Sequence, residues 1–207
     1  MNFSPNNLYH VYNRGNNKRL IFPAERNYQY FKNKIRKELK GFCEVLAFCL
    51  MPNHFHLLIY IPSDSPGLLK SAGQSQQKLA RKLGTILSSY SQAINKQEKT
   101  TGSLFQQKTK AKAIDTELYG VACLHYIHQN PLRAKLVNHL EDWKFSSFNE
   151  YFRQTSHLCN LSLAFELLNI HFDKERFYKE SYKMIPDQFF RLEKIVVPKL
   201  TRGQTAD

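Results

Sequence analysis

Two apolar runs stand back to back around a Pro-Asn pair, and they constrain the fold more than any other part of the chain: "FCEVLAFCLM" (42–51) and "HFHLLIYI" (54–61). Each is short, rich in aromatic and branched residues, and bounded by turn formers, which predicts two strands. Only Pro52 and Asn53 lie between them, so the runs fold back as an antiparallel pair. Side chains alternate along a strand, so residues i and i+2 share a face. His54 and His56 therefore point one way, and Phe55 and Leu57 the other. Two imidazoles side by side on a rigid strand suit either a metal ion or a polar pair on an exposed face.

The other elements follow from the same periodicities. "LYHVYN" (8–13) alternates as a strand, and "RGNNKR" (14–19) is a turn carrying Arg14, Lys18 and Arg19. Residues 25–40 place Tyr28, Phe31, Ile35 and Leu39 at helical spacing, with Gly41 as the stop. From about Gln76 to Lys96 a second helix carries Leu79, Leu83, Ile86, Leu87, Tyr90 and Ile94 on one side. "SLFQQKTKAKAI" (103–114) reads as a strand with Lys108, Lys110 and Lys112 on one basic face. "DTELYGVACLHYIHQN" (115–130) is a capped helix, and Pro131 predicts a kink or break at Asn130.

The resulting order is strand, helix, strand, strand, helix, strand, helix. It predicts an α+β protein on the ferredoxin-like βαββαβ plan: an antiparallel sheet with helices on one face, followed by the helix 115–130. The expected division is a domain over 1–140 and a helical C-terminal extension over 141–207. Residues 163–185 read as helical in that extension, and the segment from Pro186 reads as a loose tail.

Lys and Arg outnumber Asp and Glu by 30 to 17, a formal net charge of +13. That excess points to a polyanionic partner, nucleic acid first. The four cysteines form no CxxC pair, which excludes a zinc ribbon and suggests a reducing compartment. No apolar signal core opens the chain, and no apolar run approaches the ~18 residues of a membrane span. The expectation is a cytoplasmic protein with no membrane partner.

Two histidines are too few ligands for an ion, so a third must come from elsewhere. In the helix 115–130, Tyr126 and Asn130 are four residues apart and share a face. An amide oxygen with two imidazole nitrogens would hold a divalent cation and leave positions open for phosphate. A tyrosine hydroxyl beside an ion-polarised phosphate is a nucleophile in waiting. Tyr119, two turns earlier, is a rival nucleophile, and His125 and His128 are rival ligands or bases. Phe105 is either a stacking platform for an unpaired base or a core residue.

The stretches "YHVYNRGNNKRLIF", "VLAFCLMPNHFHLLI", "GSLFQQKTKAKAI", "YIHQNPLRAKLV" and "DWKFSSFNEY" occur in that order over about residues 8–151. Together they resemble the REP-associated tyrosine transposases of the single-tyrosine HUH superfamily. The resemblance implies His54, His56 and Asn130 as metal ligands and Tyr126 as the nucleophile, with Mg2+ or Mn2+ as cofactor. It implies cleavage of single-stranded DNA next to hairpins through a 5′-phosphotyrosine, with later rejoining by the freed 3′-hydroxyl, in a monomer or homodimer. The DNA contacts expected are Arg14, Lys18, Arg19, Lys108, Lys110, Lys112 and Arg133. The alternative is a catalytically silent regulatory protein that binds hairpin DNA or RNA.

Overall fold

The computed structural model describes residues 1–73 and 76–185. The expected loose tail from Pro186 lies outside the described residues. Four strands, β1 (Asn7–Arg14), β2 (Glu44–Met51), β3 (His54–Ile61) and β4 (Lys110–Ile114), form one antiparallel sheet in the order β2-β3-β1-β4. Helix α1 (Glu25–Leu39) connects β1 to β2, and α2 (Lys78–Gln97) connects β3 to β4. Each connection skips a strand that lies between the two it joins. This is the ferredoxin-like α+β arrangement that the element order predicts.

Helices α1 and α2 pack together on the face carrying Val11, Phe55 and Leu57. Phe31 of α1 stands 5.3 Å from Phe55 and 4.8 Å from Tyr90 of α2. The stripe expected on α1 is buried at all four positions, against the sheet and α2. Phe105 joins this cluster and is buried, so it is a core residue.

The opposite face, bearing His54 and His56, is covered by α3 (Glu117–Arg133). The histidines are therefore interior, each only 1% exposed. The turn that sets their register is held from outside. Asn53 O accepts the Gly15 N–H at 2.7 Å, and Pro52 O accepts the Ile21 N–H at 2.8 Å. Gly15 is required where the β1–α1 loop folds on itself, since a Cβ there would meet Arg19 O at 2.0 Å.

Three expectations are corrected. The strand expected over 103–114 is confined to Lys110–Ile114. Leu104 and Phe105 are both buried, and their segment bonds to the β1–α1 loop instead of extending β4 (Asn16 N–H to Leu104 O, 2.9 Å). No break occurs at Asn130: α3 continues through Pro131 to Arg133. Proline removes the donor that would bond Ile127 O, and the Asn130 side-chain amide, which donates to Tyr126 O at 2.8 Å, lies 3.5 Å from that carbonyl. The helical stretch 163–185 is two helices, α5 (Leu161–Leu167) and α6 (Lys174–Ser181), parted at Asn169, which has φ of 49°.

After α3, residues 143–147 run along the outer edge of β2. Leu50 N–H donates to Phe145 O and Ser147 N–H to Phe48 O, both at 2.9 Å. An edge strand that would otherwise expose unpaired groups is thereby covered. Helix α4 (Phe148–Arg153) and α6 then pack beside α3, and their apolar residues belong to the same continuous core as the sheet. Among the described residues, no helix is long and apolar enough to cross a membrane.

Candidate active site

The site lies between the sheet and α3. Register places Arg14 beside His54 and Tyr12 beside His56 on β1 and β3, and Lys110 beside Tyr12 and Lys112 beside His10 on β4 and β1. From above, α3 lowers Tyr126 onto this surface. Its ring stands edge-on to His56, with centroids 5.6 Å apart and planes at 83°. One turn further on, Asn130 reaches His54 closely enough to influence its titration. The four residues expected to form the centre, His54, His56, Tyr126 and Asn130, are thus brought to one place.

Each histidine has one nitrogen engaged and one unengaged. His54 Nδ1 is 2.8 Å from Asn53 Oδ1, and His56 Nδ1 is 2.9 Å from His10 Nε2. The Nε2 atoms of both are buried without a hydrogen bond of ordinary geometry among the described residues, although the Asn130 side chain comes near enough to His54 to raise its pKa as a hydrogen-bond partner does. A buried lone pair without a partner is costly, and two in one place need an explanation. A divalent ion supplies one: neutral imidazoles with their far nitrogens hydrogen-bonded are the ordinary form of a metal ligand. Asn130 fits as an oxygen donor beside them, its amide nitrogen being turned back to Tyr126 O. Among the described residues no three His, Cys, Asp or Glu side chains form a group that could hold a metal ion.

Electrostatics agree with that donor set. Burial pushes the His54 pKa down to about 4, opposed by the Asn130 amide and reinforced by the Arg14 charge. Burial also drives His56 well below the usual histidine value, with His10 and His54 adding to the effect. Both rings are therefore neutral at physiological pH, as metal ligation demands. Tyr126 is pushed up to about 12 by burial, while the Arg133 charge pulls the other way. The Arg133 guanidinium sits 6.0 Å from the centre of the Tyr126 ring.

The rival residues are placed elsewhere. His128 Nε2 lies 2.8 Å from Ser147 Oγ, and its ring packs on Phe148 and Tyr151. His125 Nδ1 lies 3.2 Å from Ser181 Oγ beside Phe177. Both tie α3 to the C-terminal segment, where one nitrogen of each is engaged. Tyr119 sits under the Lys112 ammonium, 4.8 Å from its ring centre, about two turns from Tyr126.

The basic residues divide. Arg14, Lys110 and Lys112 lie on the face of the histidines. Lys18 is exposed in the first turn, and Lys108 is exposed just before β4. Arg19 donates to Asn95 and Thr100 at the end of α2, a structural duty. Sequence reasoning did not find His10 or Asn53, which contact His56 and His54. Only strand pairing brings His10 to His56, so no local spacing marks it. Asn53 is marked by adjacency to His54, a signal overshadowed by its role in the turn.

No family model matches the chain. The chain is 25% identical over 122 residues to a curated Haemophilus influenzae protein named "Putative REP-associated tyrosine transposase", across 56% of this chain and 68% of that protein. It also superimposes on a solved structure of a REP-associated tyrosine transposase bound to a REP hairpin, with a TM-score of 0.57 and 16% identity over 84% of this chain and 90% of that one. At that identity the second likeness is one of fold. Sequence and fold thus relate this chain to the REP-associated tyrosine transposases.

Proposed function

We propose that the protein is a metal-dependent transposase that nicks and rejoins single-stranded DNA next to hairpins, with Tyr126 as nucleophile. The observation that carries this is the pair of unpartnered Nε2 atoms of His54 and His56 beneath Tyr126, with Asn130 beside them. A relative solved with a REP hairpin supports a DNA hairpin as the partner.

His54, His56 and Asn130 would hold Mg2+ or Mn2+, which supplies Lewis acidity to the scissile phosphate. Arg14, Lys110 and Lys112 line the same face and would fix neighbouring phosphates. Tyr126 Oη attacks phosphorus and loses its proton. A bond forms from Oη to the phosphate on the 5′ side of the downstream strand, and the bond to the 3′-oxygen breaks. That oxygen takes up a proton and leaves as a 3′-hydroxyl. The reverse attack by a 3′-hydroxyl reseals a strand, so no nucleotide hydrolysis is needed. Burial keeps the hydroxyl protonated in the resting site, and Arg133 favours the tyrosinate as it develops.

The test is a gel. Labelled single-stranded oligonucleotides with hairpins are mixed with protein, with and without Mg2+ or Mn2+, and run under denaturing conditions. A metal-dependent adduct that is absent in His56→Ala supports the proposal. Tight hairpin binding with no adduct under any metal would overturn it and favour the silent regulatory protein.

A further inference from the structure

We propose that His10 is a positioning residue that fixes the tautomer of His56 and so presents its Nε2 to the ion. The proposal rests on the metal-site function above. His10 lies on β1, diagonal to His56 on β3, since its direct partner is Leu58. Its Nε2 is 2.9 Å from His56 Nδ1, and the two rings stack with centroids 5.0 Å apart at 21°. Both side chains are buried.

Two neutral imidazoles sharing one hydrogen bond have two arrangements. If His10 Nε2 carries the hydrogen, His56 Nδ1 accepts it. A neutral His56 must then carry its own hydrogen on Nε2, which blocks the ligating atom. If His56 Nδ1 carries the hydrogen and donates it to His10, its Nε2 presents a lone pair. His54 obtains the same tautomer by another route, because Asn53 Oδ1 faces its Nδ1 at 2.8 Å. Each ligand thus has an acceptor behind it: an amide oxygen for His54, an imidazole nitrogen for His56. Metal-bound histidines commonly have such a partner, and losing it costs about 10- to 100-fold in metal affinity.

Two aromatic neighbours hold the His10 ring. Tyr12 stacks on one side of it at 4.8 Å and 28°, and Tyr126 meets it edge-on at 6.0 Å and 79°. Its Nε2 is engaged with His56, and its Nδ1, buried without a partner, carries the His10 hydrogen in the arrangement that frees His56 Nε2.

The experiment measures Mn2+ affinity by electron paramagnetic resonance of the free ion for wild type, His10→Phe and His10→Gln. The phenylalanine fills the space without an acceptor, whereas glutamine returns an oxygen near the position of Nε2. The expected result is about 10- to 100-fold weaker binding for His10→Phe, with His10→Gln restored to within about fivefold of wild type. Equal affinity for wild type and His10→Phe would overturn the proposal while leaving the metal site standing. Equal loss in both variants would overturn it too, since restoring an acceptor would then restore nothing. A wild-type protein that binds no Mn2+ would overturn the metal site itself. A second readout needs no variant: long-range proton–nitrogen NMR of the wild type with Mg2+ should show the hydrogen on His56 Nδ1 and none on His10 Nε2, and the reverse placement would overturn the proposal.

Discussion

The ring of Tyr126 meets the ring of His56 edge-on, 5.6 Å between centroids, across the gap between α3 and β3. One side chain comes from a helix and the other from the central hairpin, 70 residues apart in the chain. Tyr126→Phe keeps the ring and this packing and removes only the hydroxyl. Cleavage should fall below detection while hairpin affinity, by fluorescence anisotropy, stays within about twofold. Undiminished cleavage would move the nucleophile to another residue.

Arg133 reaches over Tyr126 and opposes the upward shift of its pKa. In Arg133→Gln the single-turnover cleavage rate should drop about 3- to 30-fold, the range of a partly buried cation–π contact. Binding to the hairpin should change less than the rate. A loss of binding with an unchanged rate would instead place Arg133 on the DNA alone.

Stability should fall in mild acid. Burial lowers His10 to about 3 and His54 and His125 to about 4, with His56 and His128 also well below the usual value. Below pH 6.5 the unfolded chain binds protons that the fold refuses. The stabilising effect is complete above pH 6.5 and is lost as pH falls towards the folded values, by up to about 1.4 kcal/mol per pH unit for each group. Urea midpoints at pH 7, 6 and 5 should decline steadily, and a flat series would contradict the buried neutral state.

Much of this arrangement was legible in the residues. The short apolar run 54–61 between turn formers and the helical spacing in 25–40 gave elements within a residue or two. The Tyr126–Asn130 pairing was legible because a helix turn brings i and i+4 together. The start of β4 was not, since Leu104 and Phe105 are both drawn into the core. Nor was the continuation of α3 past Pro131, where the Asn130 amide comes to 3.5 Å from the Ile127 carbonyl that the proline leaves without a donor. His10 was hidden for a different reason: its partner lies 46 positions away and is found only through strand pairing.

Glu150 anchors the C-terminal segment. It is buried, and its Oε2 accepts the backbone N–H groups of His157, Leu158 and Cys159 at 3.0–3.1 Å. Glu150→Ala leaves three donors without that oxygen and should cost about 2–4 kcal/mol. Urea unfolding checks the value. A cost under about 0.5 kcal/mol would mean that water replaces the carboxylate.

Lys110 and Lys112 project from β4 on the face of the site. If each meets one phosphate, Lys110→Ala and Lys112→Ala should each reduce the slope of log affinity against log salt by about 0.7 on single-stranded DNA. An unchanged slope would remove that lysine from the DNA interface.

The central claim is that Tyr126 becomes joined to DNA. The most direct measurement is peptide mapping of the trapped adduct: protein incubated with a hairpin oligonucleotide and Mn2+, digested with nuclease and protease, then sequenced by tandem mass spectrometry. The account predicts a 5′-phosphate-linked nucleotide on the peptide containing Tyr126 and nowhere else. A nucleotide on Tyr119, or no modified peptide despite cleaved DNA, would contradict it.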